Sequence, residues 1–311
     1  MKKRNIILTG IWFCLLTFLI VASFTDLIFK EDQEKVYNIA VVLDNDQKIE
    51  YENFKAGITE ALKGKSVKVY YMNLFGTDRD SIKEKLETQC RKRDMVIVRC
   101  DSNAILSELT GQINTRGKLF CINAKENPKG SLCNLSADDR KRGILLGKRI
   151  LEEQKQGKHI YVFGSTYEKL EQDESLIGLD EQIKVTNCME RSEEEIRNRI
   201  SQIKASGEEA VLVAMKLKIL KDLVEIQVKE NTRYPLYGFG YDREILAFME
   251  EGKIQAVNIV PEYYLGYLAM TQALEAIEQK QKLQNQEMES YTIGSNEIFL
   301  EKYEDILFPK K

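Results

Sequence analysis

Histidine is almost absent from this sequence: His159 is the only one in 311 residues, and none of the six cysteines stands at CxxC spacing. A zinc-type set of imidazole and thiolate ligands cannot be assembled from so few groups. A Ser-His or Cys-His relay needs a histidine free to take a proton, and His159 sits inside an apparent strand, His159–Phe163. There is no Walker loop, no GxSxG elbow and no complete GxGxxG fingerprint; Gly238-Phe239-Gly240 lacks the third glycine and follows a late strand. Adjacent carboxylates such as Asp138-Asp139 are expected by number alone among 49 acidic residues. With no convergent nucleophile, base and oxyanion donors, the chain reads as a non-enzyme without cofactor or metal.

A charge bias is missing too. The net charge is −3, Lys and Arg are scattered through every segment, and no basic stripe marks a nucleic-acid surface. Hydrophobic residues make up 43% and charged residues 31%, the balance of a soluble globular protein. The length exceeds what one small core serves, so two lobes are expected.

Charge is also absent, locally, from Asn5 to Thr25, twenty-one residues preceded by Lys2-Lys3-Arg4. As a helix this stretch is about 30 Å long, one hydrocarbon thickness. Asp26, Glu31, Asp32 and Glu34 lie on its other side, so the N-terminus is expected in the cytoplasm and the rest outside it. The apolar stretch exceeds the about 7–15 residues of a cleaved signal, and Trp12-Phe13 before Cys14 are not the small residues a lipidated cysteine needs. The expectation is an uncleaved single-pass anchor in the cell membrane, with 1–35 as cytoplasmic stub, anchor and linker. Cys121 and Cys133 flank a short turn. They can pair in an oxidising compartment or serve as small buried hydrophobes, and the sequence leaves both open.

From Tyr37 onward short apolar runs alternate with amphipathic stretches. Ile39–Leu43 is apolar on both faces, as a strand covered by helices on both sides must be. Tyr51, Phe54, Ile58 and Ala61 then share one helical face. Further strands are predicted at Val67–Leu74, Met95–Val98, Lys118–Asn123 and Ser131–Leu135, with helices at Ser81–Arg91, Ala104–Ile113 and Asp138–Gln154. The last helix carries Gly143 and Gly147 on one face, which permits close packing. The rhythm resumes with strands at His159–Phe163, Ile183–Cys188, Ala210–Val213, Leu236–Phe239 and Ala256–Ile259, and a long helix at Glu262–Gln279. Gln279–Gln286 reads as a solvated helix end. Such alternation means α/β structure: two parallel sheets of about five strands with right-handed crossovers.

In open parallel sheets ligands sit beyond the carboxyl ends of the strands. Those positions hold Asp44-Asn45-Asp46, Asp101-Ser102-Asn103, Asn123, Gly164-Ser165-Thr166-Tyr167 and Tyr241-Asp242. Short amides and carboxylates there can hydrogen-bond a polyol, and Tyr51 or Tyr167 can stack on a sugar ring. The same residue types are also ordinary turn formers and helix N-caps.

Several runs resemble a known family. Tyr37-Asn38-Ile39-Ala40-Val41-Val42-Leu43, followed by Phe54-Lys55-Ala56-Gly57-Ile58, resembles the opening of type 1 periplasmic binding proteins of the ribose/galactose group. Ser136-Ala137-Asp138-Asp139 with Gly143 and Gly147 is similar to the segment after that family's first interlobe crossing. Tyr237-Gly238-Phe239-Gly240 through Phe248–Ile254 is similar to its "GFD…I..G.I.A" stretch, and Pro261 with the following helix to its closing segment. The resemblance covers about residues 36–311. It implies two Rossmann-like α/β lobes joined by three crossovers, with ligand held between them and hinge closure as the mechanism. One lobe would comprise 36–135 and 261–290, the other 136–260 and 291–311.

The departures lie at the family's sugar contacts. Met215-Lys216 stand where an Asn-Asp pair is usual, Gly240 where an Asp follows Gly-Phe, Asn123-Ala124 where an Asp-Arg pair ends the fourth strand, and Ile259 near an expected Gln. Each unmet buried polar group costs about 1–3 kcal/mol, so a pentose held in the usual way would bind poorly. The cleft is expected between Asp44–Tyr51, Asn123, Lys216 and Tyr241-Asp242. Three functions follow: a sensor passing capture of a small polar, sugar-like solute to a membrane histidine kinase, a receptor for an ABC permease, or a non-binding scaffold with a decayed cleft. The family's cytoplasmic repressors carry a helix-turn-helix where this chain has an apolar span, which removes DNA as a partner.

Overall fold

A computed structural model describes residues 2–24, 35–43, 51–74, 78–100, 109–110, 112–113, 115–124, 131–154, 157–164, 173–190, 192–279 and 283–309. The chain divides into two compact units, Met1–Tyr37 and Asn38–Lys311. In the first, helix α1 runs from Lys2 to Phe24, and its described side chains, Gly10 to Val21, are exposed. Among the described residues no helix is long and apolar enough to cross a membrane.

The second unit holds two six-stranded sheets. Strands β1 (Tyr37–Leu43), β2 (Val67–Asn73), β3 (Met95–Arg99), β4 (Leu119–Ile122), β5 (Ser131–Ala137) and β11 (Gln286–Met288) form one, in the order β11-β5-β4-β3-β1-β2. Strands β6 (His159–Phe163), β7 (Val185–Cys188), β8 (Ala210–Ala214), β9 (Leu236–Phe239), β10 (Ala256–Ile259) and β12 (Tyr291–Gly294) form the other, in the order β12-β10-β9-β8-β6-β7. Inner strands such as β3 and β8 are buried along their whole length, because helices cover both faces. Edge strand β2 alternates instead.

Helices α2 (Glu52–Ala61), α3 (Arg79–Lys92) and α9 (Glu262–Gln279) go with the first sheet. Helices α4 (Asp139–Glu153), α5 (Glu174–Asp180), α6 (Glu193–Ser206), α7 (Leu217–Lys229), α8 (Arg243–Glu250) and α10 (Glu301–Leu307) go with the second. Local chemistry sets their ends. Asp78, Asp138, Asp173 and Asp242 each accept a backbone N–H as N-cap, and Ser192 with Glu195 forms a capping box on α6.

The chain passes from the first sheet to the second between β5 and β6, returns after β10, and crosses again between β11 and β12. Each sheet therefore gains a sixth strand that the expectation of about five omitted. The sixth strand of the second sheet, β12, is antiparallel to β10, so that sheet is mixed rather than purely parallel. The helix end expected over Gln279–Gln286 is corrected as well. Gln279 closes α9, 283–285 are irregular and Gln286 already belongs to β11, where it pairs with Leu135. Most of the helix expected at Ala104–Ile113 lies outside the described residues.

Two helix pairs pack closely enough to need glycine. A Cβ on Gly57 of α2 would overlap the Tyr263 carbonyl oxygen of α9, and one on Gly266 of α9 would overlap the Phe54 carbonyl oxygen of α2. The same reciprocal arrangement joins α4 and α5. There Gly143 faces the Ser175 carbonyl and Gly178 faces that of Arg140. Gly147, read from sequence as a packing residue, faces the Gln182 side chain. All six cysteines are free thiols, Cys121 and Cys133 included.

Candidate functional site

Contacts between the sheets show which edges face each other. Glu52 opens α2 just beyond the carboxyl end of β1, and Arg243 opens α8 just beyond that of β9. Arg243 Nη2 lies 3.5 Å from Glu52 Oε2. The strand tips of the two lobes thus meet across a cleft, the position where parallel sheets hold ligands.

On the first lobe, Tyr51 precedes α2, is buried, and meets Phe54 edge to face at 6.5 Å. Arg99 ends β3 and is 5% exposed. Its guanidinium lies 4.5 Å from the Tyr51 ring centroid and 5.0 Å from that of Phe54, a cation–π arrangement. Both carboxylate oxygens of Glu262, the first residue of α9, receive it: Nη1 to Oε2 at 2.5 Å and Nη2 to Oε1 at 2.8 Å. Planar bidentate pairing of this kind fixes orientation as well as charge. Asn123, half-buried after β4, adopts a left-handed backbone (φ 54°) and donates its N–H to Leu135. Asn134 locks the next residue by both amide groups, donating to the Ala124 carbonyl at 2.7 Å and accepting its N–H at 3.1 Å.

On the second lobe, Gly164 and Gly240 follow β6 and β9 with φ of 82° and 88°, turns that favour glycine. Met215 packs against the core on the α4–α5 side, and Lys216 occupies the N-cap position of α7. Arg142 of α4 donates to Asn258 Oδ1 at 3.0 Å and lies 5.2 Å from the Phe239 ring centroid. Asn258, fully buried, passes the chain on to Thr292 Oγ1 at 3.0 Å. Tyr241 is buried and donates its hydroxyl to the Ile306 carbonyl at 2.9 Å. Burial, with the Glu262 charge beside it, pushes its phenol well above the ordinary value, so it remains a donor. Asp242 caps α8 by accepting the Ile245 N–H at 3.0 Å, and its other oxygen meets Lys221 Nζ at 2.5 Å. Glu244 meets the same ammonium at 2.7 Å. Burial lowers the Lys221 pKa, yet the two carboxylates outweigh it and hold it above 10.5.

Of the residues singled out from sequence, Tyr51, Asn123, Met215, Lys216, Tyr241 and Asp242 are placed at these strand tips. Tyr241 and Asp242 spend their polar atoms on Ile306, Ile245 and Lys221. Asp44, Asn45, Asp46, Asp101 and Tyr167 lie outside the described residues. Sequence reasoning missed Arg99, Glu262, Arg142 and Asn258. An arginine closing the apolar run Met95–Val98 was the one available signal.

No family model and no curated protein sequence matches the chain. Solved structures do match its fold. GanP, a glucose-galactose binding protein from Geobacillus stearothermophilus, is 15% identical with a TM-score of 0.72, over 86% of this chain and 100% of that one. A sugar ABC transport system substrate-binding protein from Bordetella parapertussis is 14% identical with a TM-score of 0.73, over 89% and 94%. An ABC transporter solute-binding protein from Agrobacterium vitis, bound with α-D-tagatopyranose, is 10% identical with a TM-score of 0.72, over 88% and 100%. At such identities the likeness is one of fold. With two α/β lobes, three crossings and facing strand tips, this chain has the fold of the type 1 periplasmic binding proteins.

Proposed function

We propose that this chain is a membrane-tethered, extracytoplasmic solute-binding protein that captures a small polar, sugar-like ligand and reports the capture to a membrane histidine kinase. The observation that carries the reading is the contact between the strand-tip helices of the two sheets at Arg243–Glu52, which brings the ligand-side ends of both sheets together. The matched structures include sugar-binding proteins, one with its sugar bound, which supports this ligand class. Tyr51, Asn123 and Lys216 would contribute from the described tips, and Asp44, Asn45, Asp46, Asp101 and Tyr167 stay candidates on the sequence alone.

The tether in this reading is the charge-free sequence 5–25, a call that rests on the sequence alone because among the described residues no helix is long and apolar enough to cross a membrane, and a tether would hold a sensor beside its partner at high effective concentration. Delivery to an ABC permease is the alternative use of the same binding step. One observation favours a non-binding scaffold instead: Arg99, Arg142 and Lys221 are each paired with residues of this chain. Calorimetric titration and thermal shift of the full chain against neutral monosaccharides separate these readings. A ligand at one hundred times its Kd adds about 2.7 kcal/mol of stability, and Asp44→Ala should abolish that gain. Silence from folded protein toward every sugar would falsify the binding reading and leave the scaffold. Ligand-dependent kinase autophosphorylation, set against ligand uptake through a permease, then decides between sensing and transport. Removing 1–35 should release the two-lobed unit from the membrane fraction.

A further inference from the structure

Three short crossings join the lobes, and one hydrogen-bonded chain of side chains reaches all of them. The first crossing is Asp138 alone, between Ala137 of β5 and Asp139 of α4. The second is Val260-Pro261, between Ile259 of β10 and Glu262 of α9, and the third is Glu289-Ser290, between Met288 of β11 and Tyr291 of β12. On the first-lobe side β11 pairs with β5 as far as Met288 and Ala137, so the first and third crossings leave together. On the second-lobe side β10 pairs with β12 as far as Ile259 and Tyr291, so the second and third arrive together. Neither ladder joins the first crossing to the second. Side chains do. Arg142, in the first turn of α4, donates Nη1 to Asp139 Oδ1 and Nε to Asn258 Oδ1, both at 3.0 Å. Asn258 stands two residues before the second crossing and donates its amide to Thr292 Oγ1 at 3.0 Å, two residues beyond the third. Its backbone carbonyl also accepts the Gly240 N–H at 2.9 Å, and none of the residue is exposed. Turning this amide would break both of its side-chain bonds where water cannot replace them.

We propose that Asn258 is the node of the hinge, a positioning residue that makes the three crossings move as one and so confines the lobes to a single closing motion. Hinges absorb rotation in the few backbone angles near element ends. Crossings of one or two residues that turned separately would let the lobes twist as well as close. Joined through Asn258, they share one rotation. The consequence for capture, a cleft whose two sets of strand tips always meet in the same register, rests on the proposed function. The coupling of the crossings does not, so failure of one is distinguishable from failure of the other.

Amide hydrogen exchange of the full chain without ligand tests the coupling, because segments that open as one unit share one opening free energy. Thr292→Val keeps the shape of the side chain and strands the Asn258 amide, so it should speed exchange about tenfold at 288–292. The same factor should appear at Lys141 and Arg142, whose N–H groups Asp138 holds at the far end of the network. Arg142→Met should act in the other direction and speed exchange at 288–292. In the Arg142→Met background Thr292→Val should no longer change Lys141, because the link between them is already cut. Amides of β8, in the core of the second lobe, should keep wild-type protection in both single variants. A rise confined to the substituted segment overturns the proposal, since the crossings would then open independently. An equal rise at β8 overturns it too, by making Asn258 an ordinary contact of the core. Unchanged exchange at every crossing in folded Thr292→Val protein would leave the network with nothing to couple, and the proposal would again fall.

Discussion

Stripping the guanidinium from Arg99 tests whether its pair with Glu262 organises the strand tips of the first lobe. Arg99 is 5% exposed, meets both oxygens of Glu262 at 2.5 and 2.8 Å, and lies over Tyr51 and Phe54. Removing one partner of a desolvated pair costs about 3–5 kcal/mol, because the other charge stays behind uncompensated. Losing the cation over two rings adds about 0.5–2 kcal/mol. The Glu262 side chain keeps 21% of its exposure, so water offsets part of the penalty, and Arg99→Ala should destabilise by about 3 kcal/mol. Replacing both partners, Arg99→Leu with Glu262→Leu, leaves no stranded charge and should recover at least half of that loss. Urea unfolding of the full chain followed by circular dichroism reads both numbers as shifts in midpoint at constant slope. A single variant within about 1 kcal/mol of wild type, or a double variant as unstable as the two singles summed, would make the pair a bystander.

Three further outcomes follow from particular contacts. Gly57→Ala and Gly143→Ala each drive a Cβ into a backbone carbonyl that cannot rotate away, so each should cost the upper end of the about 1–3 kcal/mol typical of overpacking; an unchanged unfolding midpoint refutes the close crossing. Lys221 has its folded pKa raised above 10.5, so its stabilising effect is complete below that value and lost as pH rises through the folded pKa. Wild type should therefore lose more stability above about pH 10.5 than Lys221→Met does, and parallel alkaline unfolding curves would contradict the assignment. Burial pushes the Cys90 thiol to about 11 and those of Cys133 and Cys188 to about 12, with Cys121 also raised. At pH 8 these four should react with a disulfide reagent only after denaturation, and fast labelling of the native protein would refute their burial.

The inner strands were legible because they are buried on both faces, so Ile39–Leu43 and Ala210–Val213 carry no competing polar pattern. Strands β11 and β12 were not legible. Gln286-Glu287-Met288 is three residues long and mostly polar, and only its register against Leu135–Ala137 makes it a strand. Its antiparallel counterpart in the second sheet likewise depends on β10, some thirty residues earlier, where Ile259 faces Tyr291. At the strand tips one residue type has two uses, and no local pattern chooses between them. Asp242 stood at a strand tip as ligand contact or as N-cap, and the acceptance from Ile245 with the Lys221 pair decides for the cap. Arg99 was hidden for another reason, because its partner lies 163 residues away and no local pattern announces it.

The two lobes follow one plan, and that plan isolates what is particular to each. Aligning the sheet orders sets β6 against β1, β8 against β3, β9 against β4 and β10 against β5. Helix α5 then corresponds to α2 and α4 to α9, and the reciprocal glycine crossings fall together, Gly178 with Gly57 and Gly143 with Gly266. Even the left-handed turns coincide. Asn123 after β4 donates to β5 at Leu135, and Gly240 after β9 donates to β10 at Asn258. Against this shared scaffold the differences concentrate at the tips. The buried arginine closing β3 has Ala214 as its counterpart at the end of β8, and the residue after the left-handed turn is Ala124 in one lobe and Tyr241 in the other. Packing accounts for what the lobes have in common. The buried bidentate pair Arg99–Glu262 on one side and the buried Tyr241 phenol bonded to Ile306 on the other are what each lobe adds to that plan at its tips.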